Sequence, residues 1–157
     1  MVSNVRESVR ILVVLADDAV CSALQRILSH STWTIQVAAV EQAAAALRTS
    51  RAGVLVTGAR LSARLDWKDM LRETERLAPA PRLIVTDRLA DEALWAEVLS
   101  LGGYDLLMQP LNPEEVFRVL SLAWLSWKDA GERHKAALGH GRAIEAHAAE
   151  VPLRKTA

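Results

Sequence analysis

The chain has 157 residues, of which 51% are hydrophobic, and its 19 basic and 19 acidic side chains give a formal net charge of zero. This length is typical of one domain with its own core, and the zero net charge excludes a protein-wide field that would attract nucleic acid or an anionic membrane. The single cysteine, Cys21, excludes an intramolecular disulfide, and together with the absence of a signal-peptide-like or membrane-length apolar run it predicts a cytoplasmic protein.

Apolar runs of strand length alternate along the chain with segments of helical periodicity. A polar leader over residues 1–9 precedes the first of them. In chain order the patterns predict strand 11–15, helix 17–28, strand 32–39, helix 40–47, strand 54–58, helix 66–77, strand 83–86, helix 90–101, strand 104–108 and a last helix from residue 113.

Local signals mark where several of these helices begin and end. Asp17 and Asp66 stand where an N-cap is expected, and Asn112 followed by Pro113 is a second form of the same signal. Gly102, directly after the fourth helix, is typical of a left-handed helix end. The predicted boundaries therefore have physical causes beyond hydrophobic periodicity.

Five strands alternating with five helices predict an α/β fold, a doubly wound parallel sheet with helices on both faces. Ligands and chemistry in such sheets lie at the carboxyl edge of the strands. The third strand delivers Gly58 to this edge, and glycine has no side chain that could react.

Motifs for nucleotide, metal or nucleophilic chemistry are absent from the sequence. No Gly-x-Gly-x-x-Gly follows a strand, no phosphate-binding loop is present, and the four histidines are not spaced as metal ligands. Cys21 lies in an apolar helical segment and is expected to be a small buried residue rather than a nucleophile. We therefore expect no cofactor, no metal and no enzymatic activity.

The strand ends resemble the receiver domain of bacterial two-component response regulators, and in particular the chemotaxis-regulator type. The resemblance covers residues 10–127. It rests on the strand 11–14 before an acidic cap, the strand that ends at Gly58 with Leu61 three residues later, the strand that ends in Thr86, and the segment 107–115, whose Gln109-Pro110 matches the family's Lys-Pro. The resemblance implies a flavodoxin-like sheet of strand order 2-1-3-4-5.

In that family a carboxylate at the end of the third strand accepts a phosphoryl group from a histidine kinase. Two acidic residues after the first strand help to hold Mg²⁺, a lysine on the fifth strand contacts the phosphoryl group, and a threonine or serine on the fourth strand moves toward it. Gly58 stands at the acceptor position here. The corresponding degenerate pocket positions are Leu15, Ala16, Asp17, Gly58, Thr86 and Gln109.

The switch aromatic of the family's fifth strand aligns with Leu106, so the coupling of a rotating ring to Thr86 is not expected. Tyr104, two residues earlier, is expected on the same side of the strand. Its place at the strand start argues against a simple substitution for the switch.

These features predict an atypical, non-phosphorylatable receiver in two-component phosphorelay signalling that acts through protein contacts. Two alternatives remain open: a receiver regulated by a small ligand in the emptied pocket, and a flavodoxin-like cofactor-binding domain. An absorbance spectrum of the purified protein would distinguish the last of these.

A leftover apolar line on the fourth and fifth helices predicts the contact surface, either of a homodimer or of a complex with another protein. The alternative is that these residues are scattered surface hydrophobes. The predicted interface residues are Trp95, Leu99, Val119 and Leu122. We also expect residues 128–138 to extend the last helix beyond the domain of residues 10–127, and residues 139–157 to form a disordered tail.

Overall fold

The computed structural model describes residues 8–150, and the side chains of residues 8–139. A single 3₁₀ turn at Val40–Gln42 precedes the second helix. The elements are β1 Arg10–Val14, α1 Asp18–Leu28, β2 Thr34–Val37, α2 Ala43–Ser50, β3 Val54–Gly58, α3 Trp67–Glu75, β4 Arg82–Asp87, α4 Glu92–Leu101, β5 Asp105–Met108 and α5 Pro113–Glu150.

The strands form one five-stranded parallel sheet of order β2-β1-β3-β4-β5. Helices cover both faces of the sheet. The predicted fold class, a doubly wound flavodoxin-like sheet, is confirmed. The strands could be predicted because each buried strand is a short apolar run bounded by polar or glycine residues.

Alternate residues of each strand supply two separate cores. Leu12, Leu55 and Leu83 pack beneath α2, α3 and α4, whereas their neighbours Val54 and Ile84 pack beneath α1 and α5. This alternation follows from the two-residue period of a strand. It determines which of the two cores each strand side chain enters.

The predicted caps form the expected hydrogen bonds. Asp17 accepts from the backbone N–H of Ala19 at 2.9 Å, and Asn112 accepts from that of Glu114 at 3.0 Å. Asp66 and Asp69 form a reciprocal capping box at α3. At the end of α4, Gly102 adopts the left-handed conformation with φ of 109°. These caps place the loops that carry the candidate site.

Helix α5 is longer than the sequence pattern predicts. We expected it to end at residue 138 before a disordered tail, but the described helix continues to Glu150. Gly139 does not adopt a left-handed helix end, and the alanine-rich sequence after it favours a helix enough to tolerate the glycine's cost of about 1 kcal/mol. The rest of the predicted tail and residues 1–7 of the predicted leader lie outside the described residues.

No helix in the described range of residues 8–150 is long and apolar enough to cross a membrane. At about 1.5 Å per residue, α5 spans roughly 57 Å. Toward the middle of the helix the Trp127 indole N–H donates to the Pro79 carbonyl at 3.3 Å, and side chains as far along as Lys135 line a cleft with Pro79. The helix therefore projects well beyond the sheet.

Candidate functional site

The carboxyl edge of the sheet brings the predicted pocket positions together in space. Gly58 at the end of β3 pairs in register with Thr86 of β4, and Thr86 pairs with Leu107 of β5. Leu15 directly follows β1, and Gln109 directly follows β5. The register thus aligns four strand ends at one edge, where a doubly wound sheet holds its site.

Gly58, the predicted acceptor position, has an apolar environment. A Cβ atom placed on this glycine would lie 3.7 Å from a methyl group of Leu15 and 3.9 Å from a methyl group of Leu61, with the Arg60 carbonyl oxygen at 3.3 Å. Leu15 itself packs against the core beneath α1 and α5. The space beside Gly58, which we expected to be an empty pocket, is therefore bordered by leucine side chains.

Gln109 and Thr86 form a hydrogen-bonded chain across β4 and β5. The Gln109 amide donates to the Thr86 hydroxyl at 3.2 Å, and that hydroxyl donates to the Leu107 carbonyl at 2.9 Å. Thr86 is buried, with 1% of its surface exposed. A neutral amide at position 109 thus anchors the threonine, whereas a lysine would bring a positive charge to this point.

Both carboxylate oxygens of Asp17 accept hydrogen bonds. One carboxylate oxygen caps α1, and the other accepts a hydrogen bond from the Arg88 guanidinium at 3.2 Å. Arg88 follows β4, so this pair joins the loop after β4 to the start of α1. Arg88 was not among the residues expected at this edge, and its position two residues after the end of the predicted strand 83–86 was the available signal.

A cleft of about 390 Å³ opens beside this ion pair. Its walls come from the start of α1 and from the loops that follow β4 and β5. The lining residues are Asp17, Ala19, Val20, Ala23, Arg88, Gln109, Pro110 and Leu111. Gly58 is not among them, so the cleft lies to one side of the acceptor position.

The part of the chain that the structure describes contains no group of three or more His, Cys, Asp or Glu side chains arranged to hold a metal ion. Ala16 contributes no ligand atom, and Leu15 contributes methyl groups. Mg²⁺ prefers several oxygen ligands in near-octahedral geometry, which Asp17 cannot supply alone. The edge therefore offers little to a hard cation.

Cys21 lies in α1 with 8% of its surface exposed, as predicted for a small core residue. Burial raises the pKa of the Cys21 thiol, and the nearby Asp18 carboxylate raises it further. A thiol with a raised pKa is a poor nucleophile at neutral pH. This geometry agrees with the interpretation of Cys21 as a packing residue.

The predicted relation between Tyr104 and Leu106 is wrong. Leu106 is buried beneath α2, α3 and α4, at the position expected for the switch aromatic, but Tyr104 packs toward the opposite core beneath α1 and α5. Tyr104 precedes the first residue of β5, so the strand's two-residue alternation does not extend to it.

The predicted interface residues do not all reach the surface. Trp95, Leu99 and Leu122 are exposed by 49%, 39% and 47% respectively, but Val119 is only 1% exposed. The prediction that Val119 lies on the surface is therefore wrong. It lies three residues after Val116, so it falls on the same helical face and packs on the sheet.

Met108 of β5, which was not among the predicted interface residues, also lies on this surface and is 59% exposed. Beside it lies a cleft of about 500 Å³ between α4, β5 and α5. The Trp95 indole N–H donates to the Asp105 carboxylate at 3.3 Å, which holds the ring at the rim of this cleft. We call this region the α4–β5–α5 face, defined by Trp95, Leu99, Met108 and Leu122.

No protein-family model matches the sequence. No curated protein matches it either. Similarity appears only when the fold is compared with solved structures.

The signal receiver domain of an HD domain-containing protein from Pseudomonas fluorescens Pf-5 matches with a TM-score of 0.69 and 22% identity, over 78% of this chain and 99% of that one. The beryllofluoride-activated NtrC4 receiver domain dimer matches with a TM-score of 0.67 and 18% identity, over 75% and 98%. A structure of adenylate cyclase from Rhodopirellula baltica matches with a TM-score of 0.72 and 15% identity, over 83% and 97%. The chain therefore has the flavodoxin-like fold of response-regulator receiver domains.

Proposed function

We propose that this chain is a receiver-like protein of two-component signal transduction that does not undergo phosphoryl transfer and acts through protein contacts. The observation that carries the proposal is the receiver fold with Gly58 at the end of β3, flanked by Leu15 and Leu61. The structural similarity to signal receiver domains supports the signalling role.

Phosphoryl transfer to a carboxylate needs an anionic acceptor, a cation that neutralises developing charge, and a positioned positive group. Gly58 supplies no acceptor, and the adjacent residues Thr57 and Ala59 are not carboxylates. Gln109 is neutral and already donates to Thr86. The end of β3 therefore carries no acceptor carboxylate, and position 109 carries no positive charge.

The side chains at the edge form a network of their own. Arg88 joins the loop after β4 to Asp17, and Gln109 joins β5 to Thr86. The resemblance assigns Asp17, Thr86 and Gln109 to the phosphoryl pocket of receiver domains. In our proposal the network keeps the edge in one arrangement, so that the α4–β5–α5 face is presented without a phosphorylation signal.

The α4–β5–α5 face is the proposed contact surface, with another protein or with a second copy of the chain, in the cytoplasm. Exposed tryptophan and methionine side chains are frequent at protein interfaces. A receiver domain among the similar structures forms a dimer. Val119 has no part in this surface, because it is buried.

Mg²⁺ titration followed by calorimetry tests the proposal that the protein does not carry out phosphoryl transfer. We expect binding no tighter than millimolar, because the described residues bring no group of three or more His, Cys, Asp or Glu side chains together and stripping water from Mg²⁺ needs several oxygen ligands. Micromolar Mg²⁺ binding that Asp17→Asn abolishes would contradict the proposal.

Light scattering tests the proposal that the α4–β5–α5 face is the contact surface. If a second copy binds the face, the wild type is a dimer and Trp95→Ala combined with Leu122→Glu makes it monomeric. If another protein binds, the wild type is monomeric and the same substitutions weaken that complex. A dimer unaffected by both substitutions would refute this location for the interface.

Regulation by a small ligand is a second candidate, favoured by the cleft of about 390 Å³ beside Asp17 and Arg88. Its volume lies within the range of small-molecule sites. An absorbance spectrum and a native mass of the purified protein would detect a retained ligand. Loss of that ligand in Val20→Trp, which would fill the cleft, would place it there.

A further inference from the structure

The cleft at the centre of the α4–β5–α5 face is acidic, although the chain as a whole has no net charge. Four carboxylates and one guanidinium line it, which gives a formal balance of minus three. The charged lining residues are Asp91, Glu92, Asp105, Glu115 and Arg118.

Two of these carboxylates already have structural partners. Asp91 accepts the backbone N–H of Leu94 as the N-cap of α4, and Asp105 accepts the Trp95 indole N–H. Glu92 and Glu115 form no ion pair with the other described side chains. Their charges are therefore available to a partner.

Apolar surface lies next to these charges. Trp95 is half exposed, Met108 is 59% exposed, and Leu106 forms the buried floor of the cleft. A large aromatic side chain beside a concave surface is the usual form of an interface hot spot. The cleft therefore combines an apolar anchor site with an acidic rim.

We infer that the α4–β5–α5 face binds a basic segment of another protein, one that carries an apolar side chain into the cleft and lysine or arginine residues onto its rim. This inference rests on the proposed function and names the class of partner that its contact surface takes. Opposite charge around a shared apolar centre attracts such a segment and excludes acidic competitors.

The same charges disfavour a second copy of the chain at this cleft. A two-fold symmetric contact centred on the cleft would place one patch against its equal, and thus carboxylates against carboxylates. Like charges at an interface are unfavourable, and Arg118 alone cannot balance them. The face therefore fits a hetero-complex better than a homodimer.

Fluorescence anisotropy tests the inference with two labelled peptides. One is a short amphipathic helical peptide with a leucine stripe flanked by lysines, and the other has glutamate at every lysine. We expect the lysine peptide to bind the wild type, with affinity that falls as salt rises, and the glutamate peptide to bind at least about tenfold more weakly.

Two variants locate the binding site. Trp95→Ala should weaken binding of the lysine peptide about tenfold through loss of the anchor, and Glu92→Gln with Glu115→Gln should weaken it several-fold and flatten its salt dependence. Glu41→Gln with Glu75→Gln removes the same charge from exposed positions near α2 and on α3 and should change nothing. Circular dichroism establishes that each variant is folded.

Three outcomes would overturn the inference. These are equal binding of both peptides, equal loss of binding in the two glutamine pairs, and a wild-type dimer that Trp95→Ala dissociates. Treatment of the same samples with a small phosphodonor separates this result from the proposed function. Unphosphorylated protein that fails to discriminate the peptides refutes the basic partner alone, whereas a phosphorylated aspartate refutes the proposed function.

Discussion

Replacing Gly58 with aspartate is expected to leave the protein unphosphorylated. The new carboxylate would emerge between the methyl groups of Leu15 and Leu61, and no lysine or metal-binding carboxylate pair would face it. The measurement is the intact mass of Gly58→Asp after treatment with a small phosphodonor and Mg²⁺.

The matched comparison is a variant that combines Gly58→Asp with Leu15→Asp, Ala16→Asp and Gln109→Lys. We expect an added phosphoryl mass only in this combination, because the acceptor, the metal site and the positive partner act together. Efficient labelling of the single variant would show that the surviving residues of the edge suffice for the reaction.

Gly53, which precedes β3, should tolerate no side chain. A Cβ atom there would lie 2.6 Å from the Trp127 ring and 2.8 Å from the Trp124 ring, both of which lie in α5. We expect Gly53→Ala to lower the free energy of unfolding by about 1–3 kcal/mol in a urea titration, because the tryptophan rings must shift.

Gly139→Ala is the control for this substitution. A Cβ atom at Gly139 would have no neighbour within 4 Å, and alanine favours a helix. The free energy of unfolding should therefore not fall, and the helical circular dichroism signal should rise. Equal loss of stability in both variants would contradict the packing described for Gly53.

The Cys21 thiol should react slowly with an alkylating reagent in the folded protein. Burial raises its pKa, so the reactive thiolate appears only at higher pH than in the unfolded chain. Labelling rates measured across pH, with and without denaturant, should show the folded midpoint displaced upward. A folded midpoint at or below the unfolded one would contradict this environment.

At the residue scale, the sequence could predict Gly58, Asp17 and Gln109 as edge positions because each lies at the end of an apolar strand or within three residues after it. It could not predict that Arg88 pairs with Asp17, since the two lie far apart in the chain and meet only through the strand order. The leucine environment of Gly58 likewise depends on side chains from two separate loops.

At the scale of elements, α5 offers a direct test of which face packs on the sheet. Val119→Ala should lower the free energy of unfolding by about 2 kcal/mol, because it removes two buried methyl groups and leaves a cavity. Leu122→Ala, three residues later on the exposed side, should change it by less than about 0.5 kcal/mol.

Equal changes in the free energy of unfolding for the two alanine substitutions in a urea titration would show that Val119 is not in the core. Val119 would then belong to the contact surface, as the sequence predicted. Both residues lie in α5, and alanine is a better helix former than either valine or leucine, so helix propensity cannot cause a loss of stability in Val119→Ala. The comparison therefore measures burial.

Caps made most element boundaries predictable, whereas helical faces were less certain. Asp66 and Asn112 act within one turn of their own helices, so sequence alone identifies them. Val119 was misplaced because a helix face includes residues three apart as well as four apart, and Val116 is compatible with either neighbour. Gly139 was interpreted as a helix end although glycine also occurs within helices.

At the scale of the whole molecule, two surfaces of the sheet differ in character. The carboxyl edge carries Gly58 between the side chains of Leu15 and Leu61, while the α4–β5–α5 face combines an acidic cleft with exposed apolar side chains. The fold could be predicted because it follows from the order of strands and helices. The acidic cleft could not, because its carboxylates come from three elements.

The intact mass of the wild-type protein after incubation with a small phosphodonor and Mg²⁺ tests the central claim most directly. A conventional receiver domain treated in parallel shows that the donor is active. We predict an unchanged mass, because β3 ends in Gly58 and the described residues bring no three His, Cys, Asp or Glu side chains together to hold a metal ion. An added phosphoryl group that peptide mapping assigns to any aspartate of the chain would contradict the account.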